Sequence, residues 1–566
     1  MASGPPPDFP GGGRLWRYVR GAPKAELHLH IEGTLEPELM FEIAARNGVA
    51  VEGTVESHRI RRQSFKDLQD FLDLYYAACD VLKTEEDFRD LMYAYLQRAA
   101  VDNVYAAEVF FDPQTHTERG VPFDVVISGL HRGIVEGHRN LEIRANLIMC
   151  FLRHLSEESA LSTLEQALPH LDKIVGIGLD SGELGNPPSK FERLFERAAG
   201  MGLKTVAHAG EEAGPEYILE ALELLKVRRI DHGVQCLKDS SLVERLAKEG
   251  VPLTTCPLSN MKLQVNSRYF GGRNVTGQLL EAGLRVTINS DDPAYFGGYI
   301  NDNFVRAVSD CNLTERDVYK MCRNSFTSSF LSDVDKAFCI SQLDYHTIVS
   351  GYAAPPRNIS IFGSRSPEPG SPEYEEARAI AKLLASRGFT VFTGGYSGIM
   401  MAGAHGAREG LDERRNSGGE SEAQEVCGVL VPSLFAFREP LGNSYTTRPI
   451  VARSLTNRIN HFCMNSEYFL ACRGTIGTIT ELLYVWKYAT IRNTIGVSLP
   501  KILVLRSNFE KPLEAFADAM KIFPEDRGLI QYVDSGEEIL QVFEEDLKRR
   551  TVAATITLPP PFSTSN

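Results

Sequence analysis

The sequence predicts an α/β protein of two domains, an N-terminal (β/α)₈ barrel of the TIM type and a C-terminal Rossmann-like, doubly wound sheet. Its 566 residues exceed what a single hydrophobic core normally serves. Short apolar runs alternate with helix-like stretches up to residue 343, and a second alternation begins at Asn358. We expect a disordered N-terminal segment (1–20), the barrel (21–343), a linker (344–357), the second domain (358–550) and a tail (551–566).

The composition argues against two classes of binding partner, nucleic acids and membranes. The formal net charge is −14 and no long run of Lys or Arg occurs, which argues against nucleic acid or a membrane surface. The ten cysteines are scattered without a CxxC pair, which is typical of reduced thiols. We find no signal peptide and no membrane-spanning run. We therefore expect small-molecule partners and a cytoplasmic location, with a nuclear pool as an open alternative.

The barrel prediction rests on eight apolar runs whose ends carry polar side chains. The runs lie at residues 25–30, 104–111, 143–150, 174–179, 204–207, 229–232, 252–256 and 285–289. In a (β/α)₈ barrel the catalytic groups lie at the carboxyl ends of the strands. Histidine or acidic residues end the first and sixth runs and follow the fifth and eighth. We expect those strand ends to form the active site.

Four of these residues suit a metal ion. His28 and His30 are two positions apart on the first run, so their side chains share one face. With His208 and Asp291 they supply three imidazoles and a carboxylate, which can hold one zinc and leave a position for water. Bound zinc lowers the pKa of that water to roughly 7. The barrel is thus predicted to be a metal-dependent hydrolase with one Zn²⁺.

Three further residues suit the chemistry around such a metal. Glu211 follows His208 by three positions and could act as a general acid or base. His232 could hydrogen-bond the activated water and fix its direction. Asp292, next to Asp291, points elsewhere and could bind the substrate.

The order of these motifs resembles the adenosine/adenine deaminase family over residues 21–340. The motifs are HxH at 28–30, HAGE at 208–211, DHG at 231–233 and SDDP at 290–293. The resemblance implies hydrolytic deamination of a purine, in which Glu211 protonates a ring nitrogen and ammonia leaves. It also implies that Asp292 pairs with a nitrogen of the imidazole ring and that the backbone at Gly182 meets the base.

Within that family, the sequence favours the free base adenine over adenosine. Glu32 stands where adenosine deaminases carry a shorter aspartate that holds the sugar 5′-hydroxyl, and its extra methylene would intrude on the ribose space. The segments at 110–121, 149–155, 182–188 and 290–299 also look like the adenine deaminase branch. Adenosine deamination stays as the alternative.

The second domain carries two glycine-rich turns between its predicted strands and helices. Gly394-Gly395 precedes one helix, and the segment at 474–478 precedes another. Such turns can bind a phosphate through backbone N–H groups. Neither turn is a GxGxxG fingerprint or a Walker loop.

Together these turns resemble the LOG, or lysine-decarboxylase-like, phosphoribohydrolase family over residues 357–510. The GGxxGxM motif lies at 394–400, and PGGxGTxxE occurs here with Arg473 and Thr475 in place of its proline and second glycine. The resemblance implies hydrolysis of a nucleoside 5′-monophosphate, with Glu481 and Arg458 as catalytic residues. The substrate-binding residues it implies are Gly394, Gly395, Gly474, Gly477 and Thr478.

The two resemblances combine into one prediction, a bifunctional purine-salvage enzyme. The second domain would release adenine from AMP, and the barrel would convert that adenine to hypoxanthine. The chain is also predicted to form a homo-oligomer through the second domain. The alternative is a second domain that binds nucleotides or mediates dimerisation without catalysis, motivated by Arg473 and Thr475.

Overall fold

The computed structural model describes residues 5–6, 9–350, 357–416, 425–435, 437–494 and 499–556. The chain divides into two compact units, Met1–Ser332 and Asp333–Asn566. Both are α/β units with parallel sheets, which confirms the predicted fold class. Among the described residues, no helix combines the length and apolarity needed to cross a bilayer.

The first unit is built on eight parallel strands that follow one another in chain order around a barrel. A bridge between Leu29 and Asp291 joins the first and last strands just beyond their ends. The strands are β1 Lys24–Glu26, β2 Val104–Phe111, β3 Arg144–Leu152, β4 Ile174–Asp180, β5 Lys204–Ala209, β6 Arg229–His232, β7 Pro252–Thr255 and β8 Arg285–Ile288.

Helices surround this barrel, so the strands are covered on both faces and are almost continuously buried. They are α1 Gly12–Gly21, α2 Pro37–Asn47, α3 Val55–Arg61, α4 Leu68–Ala78, α5 Glu85–Val101, α6 Pro113–Thr117, α7 Phe123–Leu141, α8 Glu157–Ala167, α9 Glu192–Gly200, α10 Pro215–Glu223, α11 Ser240–Glu249, α12 Pro257–Lys262, α13 Val265–Phe270, α14 Thr276–Glu281, α15 Pro293–Phe296, α16 Ile300–Cys311 and α17 Glu315–Ser328. Short 3₁₀ helices lie at Glu32–Thr34, Cys79–Val81, Leu168–Lys173, Pro188–Phe191 and Val234–Lys238.

The N-terminal part of this unit differs from the prediction in two respects. Residues 12–20, predicted to be disordered, lie in helix α1, because Leu15, Tyr18 and Val19 recur at helical spacing and are buried. Residues 1–4 and 7–8 lie outside the described residues. Strand β1 ends at Glu26, so both predicted ligands of the first run follow the strand instead of ending it.

The second unit contains a seven-stranded parallel sheet in the order β12-β11-β10-β9-β13-β14-β15. The chain first builds one half outward from β9 and then returns to the other side of β9, which is the doubly wound arrangement. The strands are β9 Asn358–Phe362, β10 Thr390–Thr393, β11 Val426–Leu430, β12 Arg448–Val451, β13 Tyr468–Ala471, β14 Lys501–Leu505 and β15 Ile530–Val533.

Two hydrophobic clusters cover the faces of this sheet. Successive residues of β9 alternate between them, with Ile361 in one cluster and Phe362 in the other. The helices are α18 Asp333–Val349, α19 Pro372–Ser386, α20 Ile399–Asn416, α21 Leu455–Asn465, α22 Ile476–Thr494, α23 Arg506–Ala519, α24 Pro524–Arg527 and α25 Gly536–Ile556. The edge strands β12 and β15 were not predicted from the sequence.

The segment predicted to link the domains begins as helix α18. Its Ser341 Oγ accepts the backbone N–H of Val451 at 3.0 Å, and Asp344 pairs with Arg448 at 2.5 Å. These contacts tie α18 to strand β12, which explains why the helix extends past residue 344. Residues 351–356 of the predicted linker lie outside the described residues. Helix α25 likewise runs past residue 550, and 557–566 of the predicted tail are not described.

Candidate active site

The carboxyl ends of the barrel strands bring the four predicted metal ligands together. His28, His30, His208 and Asp291 are buried, and each offers a ligand atom within 4.8 Å of all the others. Asp291 Oδ1 lies 3.2 Å from His28 Nε2 and 3.5 Å from His30 Nε2. His30 Nε2 lies 3.2 Å from His208 Nε2. Among the described residues, no group accepts or donates a hydrogen bond at the buried Nε2 of His28, so this donor set fits one metal ion.

Buried side chains behind the ligands fix the imidazole rings. Asp231 lies 3.9 Å from His28 Nδ1 and 3.7 Å from His208 Nδ1, and it accepts a hydrogen bond from Thr254 Oγ1 at 2.8 Å. Asp180 Oδ2 lies 3.3 Å from His30 Nδ1. Carboxylates at the far ring nitrogen orient metal-binding histidines. Burial and the neighbouring imidazoles hold the pKa of His208 well below its usual range, so this ring is neutral, as a ligand must be.

Glu211 and His232 form a polar pair beside the ligands. Glu211 Oε2 lies 3.6 Å from His232 Nε2, which is 3.8 Å from Asp291 Oδ2. Burial lowers the pKa of His232 to about 3, so its ring is neutral at physiological pH. Burial, together with the charge of Asp291, raises the pKa of Glu211 well above its usual range. Glu211 can therefore carry a proton near neutral pH, as a general acid requires.

Three residues at these strand ends have left-handed backbone conformations. Ser181, after β4, has φ of +72°, His232 at the end of β6 has +62°, and Asp291 after β8 has +65°. Such values are uncommon for residues other than glycine, and they cluster at functional sites. Two of the three belong to the predicted catalytic and ligand set.

A small cavity of about 40 Å³ lies against these groups. His30, His208, Glu211, His232, Asp291 and Asp292 form part of its wall. Leu68, Leu72 and Tyr76 of α4 and Ser181 line both this cavity and an outer one of about 570 Å³. Gly182, a predicted substrate contact, lines the outer cavity. The predicted catalytic groups are thus enclosed, with α4 between them and the wider opening.

Asp292 and Glu32, the other predicted substrate contacts, occupy different positions. Asp292 lines the inner cavity, where its Oδ1 is buried without a hydrogen bond. It packs against Gly33, where any larger residue would collide with its carboxylate. Glu32 lies outside the lining and instead contacts His116 Nε2 at 2.8 Å and accepts the N–H of Asp112 at 3.2 Å. Glu32 therefore makes buried polar contacts, and its expected effect on a bound sugar stays a prediction.

Sequence reasoning missed part of the inner wall. Asp112, Asp180 and Tyr75 line the cavity, and Asp112 Oδ1 and both oxygens of Asp180 lack hydrogen-bond partners among the described residues. The two aspartates stand at the ends of β2 and β4, like the predicted residues on other strands. The strand-end rule applied to all eight runs would have found them.

In the second unit, the predicted catalytic pair is in contact. Arg458 Nη1 donates to Glu481 Oε1 at 2.5 Å, and both side chains are buried. Arg458 Nε also donates to the carbonyl of Val429 at 2.8 Å. Burial raises the pKa of Glu481, and the charge of Arg458 opposes this shift. Arg458 packs against Gly394, where an added Cβ would collide with the guanidinium.

The two glycine-rich turns differ in geometry. Gly395 and Gly398 have φ of +71° and +70°, and a Cβ at Gly398 would collide with the carbonyl of Ser364, so this turn requires glycine. Gly474 and Thr475 do not have positive φ, so Thr475 imposes no backbone strain there. Gly474 packs against the buried Thr478, Gly477 has open space around it, and Arg473 pairs with Glu373.

A cavity of about 890 Å³ opens beside the first of these turns. Gly395, Tyr396, Arg365 and Arg438 line it, whereas Gly474, Gly477, Thr478 and Glu481 lie outside its lining. The Arg438 guanidinium lies 4.8 Å from the Tyr396 ring centre. Burial and the nearby charge of Arg365 lower the pKa of Arg438. Glu439 also lines the cavity, but among the described carboxylates none pairs with either arginine, so the two cations outnumber the carboxylate and the cavity favours an anionic ligand.

Comparisons with known proteins agree with this division. Residues 23–346 match the family model described as Adenosine deaminase, residues 356–414 the SLOG cluster4 family, and residues 413–543 the model described as Possible lysine decarboxylase. The adenine deaminase of Hahella chejuensis is 54% identical over 330 residues, covering 58% of this chain and 98% of that protein. The adenine deaminase of Albidiferax ferrireducens is 55% identical over 320 residues, covering 56% and 92%. The crystal structure of adenine deaminase from Arthrobacter aurescens is 48% identical with a TM-score of 0.55, covering 57% and 98%.

Proposed function

Because this chain belongs to the adenosine deaminase family, we propose that its first unit hydrolyses adenine to hypoxanthine and ammonia. The observation that carries the proposal is the buried ligand set of His28, His30, His208 and Asp291 beside the protonatable Glu211. Relatives at 54% and 55% identity are adenine deaminases, which supports the same substrate here.

We propose that the ligand set holds one zinc ion. Three imidazole nitrogens and one carboxylate are ligands that zinc favours, and the orphaned Nε2 of His28 fits such a role. A bound zinc supplies an activated water at neutral pH. Thr254 Oγ1 lies 2.9 Å from His28 Nδ1 and donates to Asp231, and this contact on the far side of the ring keeps the ligand atom of His28 turned inward.

The surrounding side chains supply proton transfer and orientation. Glu211 donates its proton to the ring nitrogen next to the amine-bearing carbon as water adds, which draws charge away from the reacting carbon. His232 is neutral and accepts a hydrogen bond from the attacking water, which fixes its direction. Burial and the charge of Asp291 raise the pKa of Asp292, so it can donate to an imidazole-ring nitrogen of the purine.

The wall of the inner cavity supports a free base as substrate. A free purine carries a ring N–H where a nucleoside carries its sugar. Asp112 and Asp180 line the cavity with buried acceptor oxygens that lack partners among the described residues. These oxygens suit an N–H donor, whereas the corresponding nitrogen of a nucleoside carries a sugar carbon and has no hydrogen to donate.

Comparison of adenine with adenosine tests this assignment. Purified protein is incubated with each compound, and hypoxanthine and inosine are separated by chromatography. We expect kcat/KM to favour adenine strongly. A preference for adenosine would contradict the free-base proposal while leaving deamination intact.

For the second unit, we propose hydrolysis of AMP, or a related nucleoside 5′-monophosphate, to the free base and ribose 5-phosphate. The buried contact of Arg458 with Glu481 and the anion-favouring cavity beside Gly395 support it. Cleavage of an N-glycosidic bond develops positive charge on the sugar, which Glu481 can stabilise, or Glu481 can activate water. Arg458 can bind the phosphate or assist the leaving base.

The product of this reaction would be the substrate of the first unit, which gives one chain a purine-salvage sequence. Incubation with AMP tests the sequence. Wild-type protein should accumulate hypoxanthine and ribose 5-phosphate. Glu481→Gln should leave AMP intact but still deaminate added adenine, and Glu211→Gln should stop at adenine, so each variant controls for the other.

A second candidate, nucleotide binding without catalysis, is favoured by the ion pair of Arg473 with Glu373 at the altered loop. Under this alternative AMP binds but stays intact in the wild type, and Glu481→Gln leaves all activity unchanged. Calorimetric titration with AMP, run alongside the product assay, distinguishes the two candidates.

We also propose that the second unit forms a homo-oligomer. Leu455 of α21 is 49% exposed, and Ile476 and Ile491 of α22 are 86% and 50% exposed. Exposed apolar side chains mark a contact surface where they form a contiguous patch, and these three lie on two helices that pack against each other. Sedimentation should detect an oligomer that Ile476→Glu weakens, and a monomeric wild type would refute the proposal.

The ten cysteines, all free, fit the proposed cytoplasmic location.

A further inference from the structure

The carboxylate of Glu183 is bound entirely by backbone amides of the loop that carries Glu211. It accepts the N–H of Gly210 at 2.6 Å on Oε1, and on Oε2 those of Glu211 at 3.1 Å, Glu212 at 2.7 Å and Ala213 at 2.9 Å. Glu183 is 1% exposed. A buried carboxylate is costly unless it is bonded, and here consecutive amide dipoles supply the bonding.

The same loop is held on its carbonyl side. Gln235 donates its backbone N–H to the carbonyl of Gly210 at 3.0 Å and its side-chain amide to that of Glu211 at 3.1 Å. Arg153 Nη1 donates to the carbonyl of His208 at 2.6 Å. The backbone around Glu211 is therefore hydrogen-bonded through both its N–H groups and its carbonyls, and Glu183 accepts the N–H groups of residues 210–213.

The side chain of Glu211 has little to position it directly. Its Oε1 is buried without a hydrogen bond, and its Oε2 approaches His232 only to 3.6 Å. The location of the carboxyl thus follows from the location of the loop. A shift of about 1 Å in a catalytic group can cost about 10²-fold in rate.

We propose that Glu183 is a positioning residue that places Glu211 for proton transfer in the deamination reaction. The proposal rests on the deaminase function proposed above. Glu183 lines the outer cavity but not the inner one, and both of its carboxylate oxygens are bound by loop amides, so it acts on Glu211 through the loop.

Glu183→Gln tests the proposal, because it keeps the shape but turns one acceptor oxygen into an N–H donor facing other donors. We expect kcat for adenine to fall by about 10²-fold, KM to change by less than about threefold, and metal content to stay unchanged. Amide hydrogen exchange in residues 210–213 should become faster. Glu183→Asp keeps the charge with a shorter reach and should give an intermediate kcat.

Glu157→Gln is the matched control. Glu157 is also a buried carboxylate that accepts a backbone N–H, from Leu194 at 3.0 Å, but it lies outside both cavities. We expect kcat to be unchanged in this variant. A comparable loss of kcat in Glu157→Gln would mean that any such substitution impairs the enzyme, and would overturn the proposal.

A double-mutant cycle separates positioning from a general structural effect. If Glu183 acts through Glu211, then Glu183→Gln should change kcat by less than about threefold in a Glu211→Gln background. If the two substitutions reduced kcat multiplicatively in the double variant, or if Glu183→Gln left kcat unchanged, the role of Glu183 would be refuted and the proposed function would stand. A wild-type protein that does not deaminate adenine would instead refute the proposed function.

Discussion

Replacing Glu211 by glutamine separates the two roles that the inner cavity combines, metal binding and proton transfer. Glu211 lies beside the ligand set but is not part of it. We expect Glu211→Gln to retain its metal and to lose deamination. His208→Ala removes a ligand atom that lies 3.2 Å from His30 Nε2, so both metal content and deamination should fall.

The expected magnitude follows from the protonation of Glu211. Burial and the charge of Asp291 raise the pKa of Glu211 well above its usual range, which favours the protonated carboxyl, and glutamine has no such proton to transfer. General acid–base catalysis contributes about 10²–10⁴-fold, which corresponds to about 3–5 kcal/mol of activation free energy. The bond from Glu211 to the purine ring nitrogen is also weakened, so kcat should fall toward the upper end of this range.

The assay has two readouts on the same purified protein, metal per chain by elemental analysis and hypoxanthine formed from adenine. The AMP cleavage proposed for the second unit is the internal control, because Glu481 belongs to none of the possible metal-binding clusters among the described residues. An apo Glu211→Gln protein would refute the reasoning, since Glu211 would then be a ligand or a support of the ligand set. If Glu211→Gln still deaminated adenine at the wild-type rate, Glu211 would not be the proton donor.

Three other perturbations test the structure elsewhere. Arg229→Met leaves the buried Glu108 without the guanidinium that lies 2.6 Å away, and should cost about 3–5 kcal/mol of unfolding free energy. Adding Glu108→Gln should restore part of this stability, and an unchanged melting temperature in Arg229→Met would contradict the prediction. Burial lowers the pKa of His461 to about 4, so the wild type should lose up to about 3 kcal/mol of unfolding free energy as pH falls from about 6.5 to 4. His461→Leu should lose less, which denaturant titrations at pH 7 and 4.5 would measure. Arg438→Ala removes one of the two arginines that line the large cavity and should weaken AMP binding about tenfold by calorimetry. An equal Kd would show that the nucleotide binds elsewhere.

The barrel strands could be predicted because each is a buried apolar run, and the site could be predicted because such runs end at one face of the barrel. The missed strands β12 and β15 are the two edges of their sheet, where four-residue stretches that include Arg448 or Gln531 give a weak apolar signal. Helix α1 was hidden by its glycine-rich start.

The end of the first strand could not be derived from the sequence, because side chains distant in the chain decide it. Leu27 donates its N–H to Asn289 Oδ1 at 2.8 Å, and Arg229 Nη2 donates to its carbonyl at 3.1 Å. These bonds replace the strand ladder just before His28. The amide contacts of Glu183 depend in the same way on a loop conformation that no spacing rule encodes.

At the left-handed residues of the strand ends, the requirements of protein stability and of catalysis conflict. Ser181, His232 and Asp291 each hold a backbone conformation that costs non-glycine residues about 1–2 kcal/mol. Glycine at position 232 would relieve that cost and abolish the imidazole, giving a more stable but inactive protein. In lineages that keep the barrel after losing the reaction, selection on stability alone would favour glycine or asparagine at these positions. Their identity in any descendant therefore records whether the chemistry is still under selection.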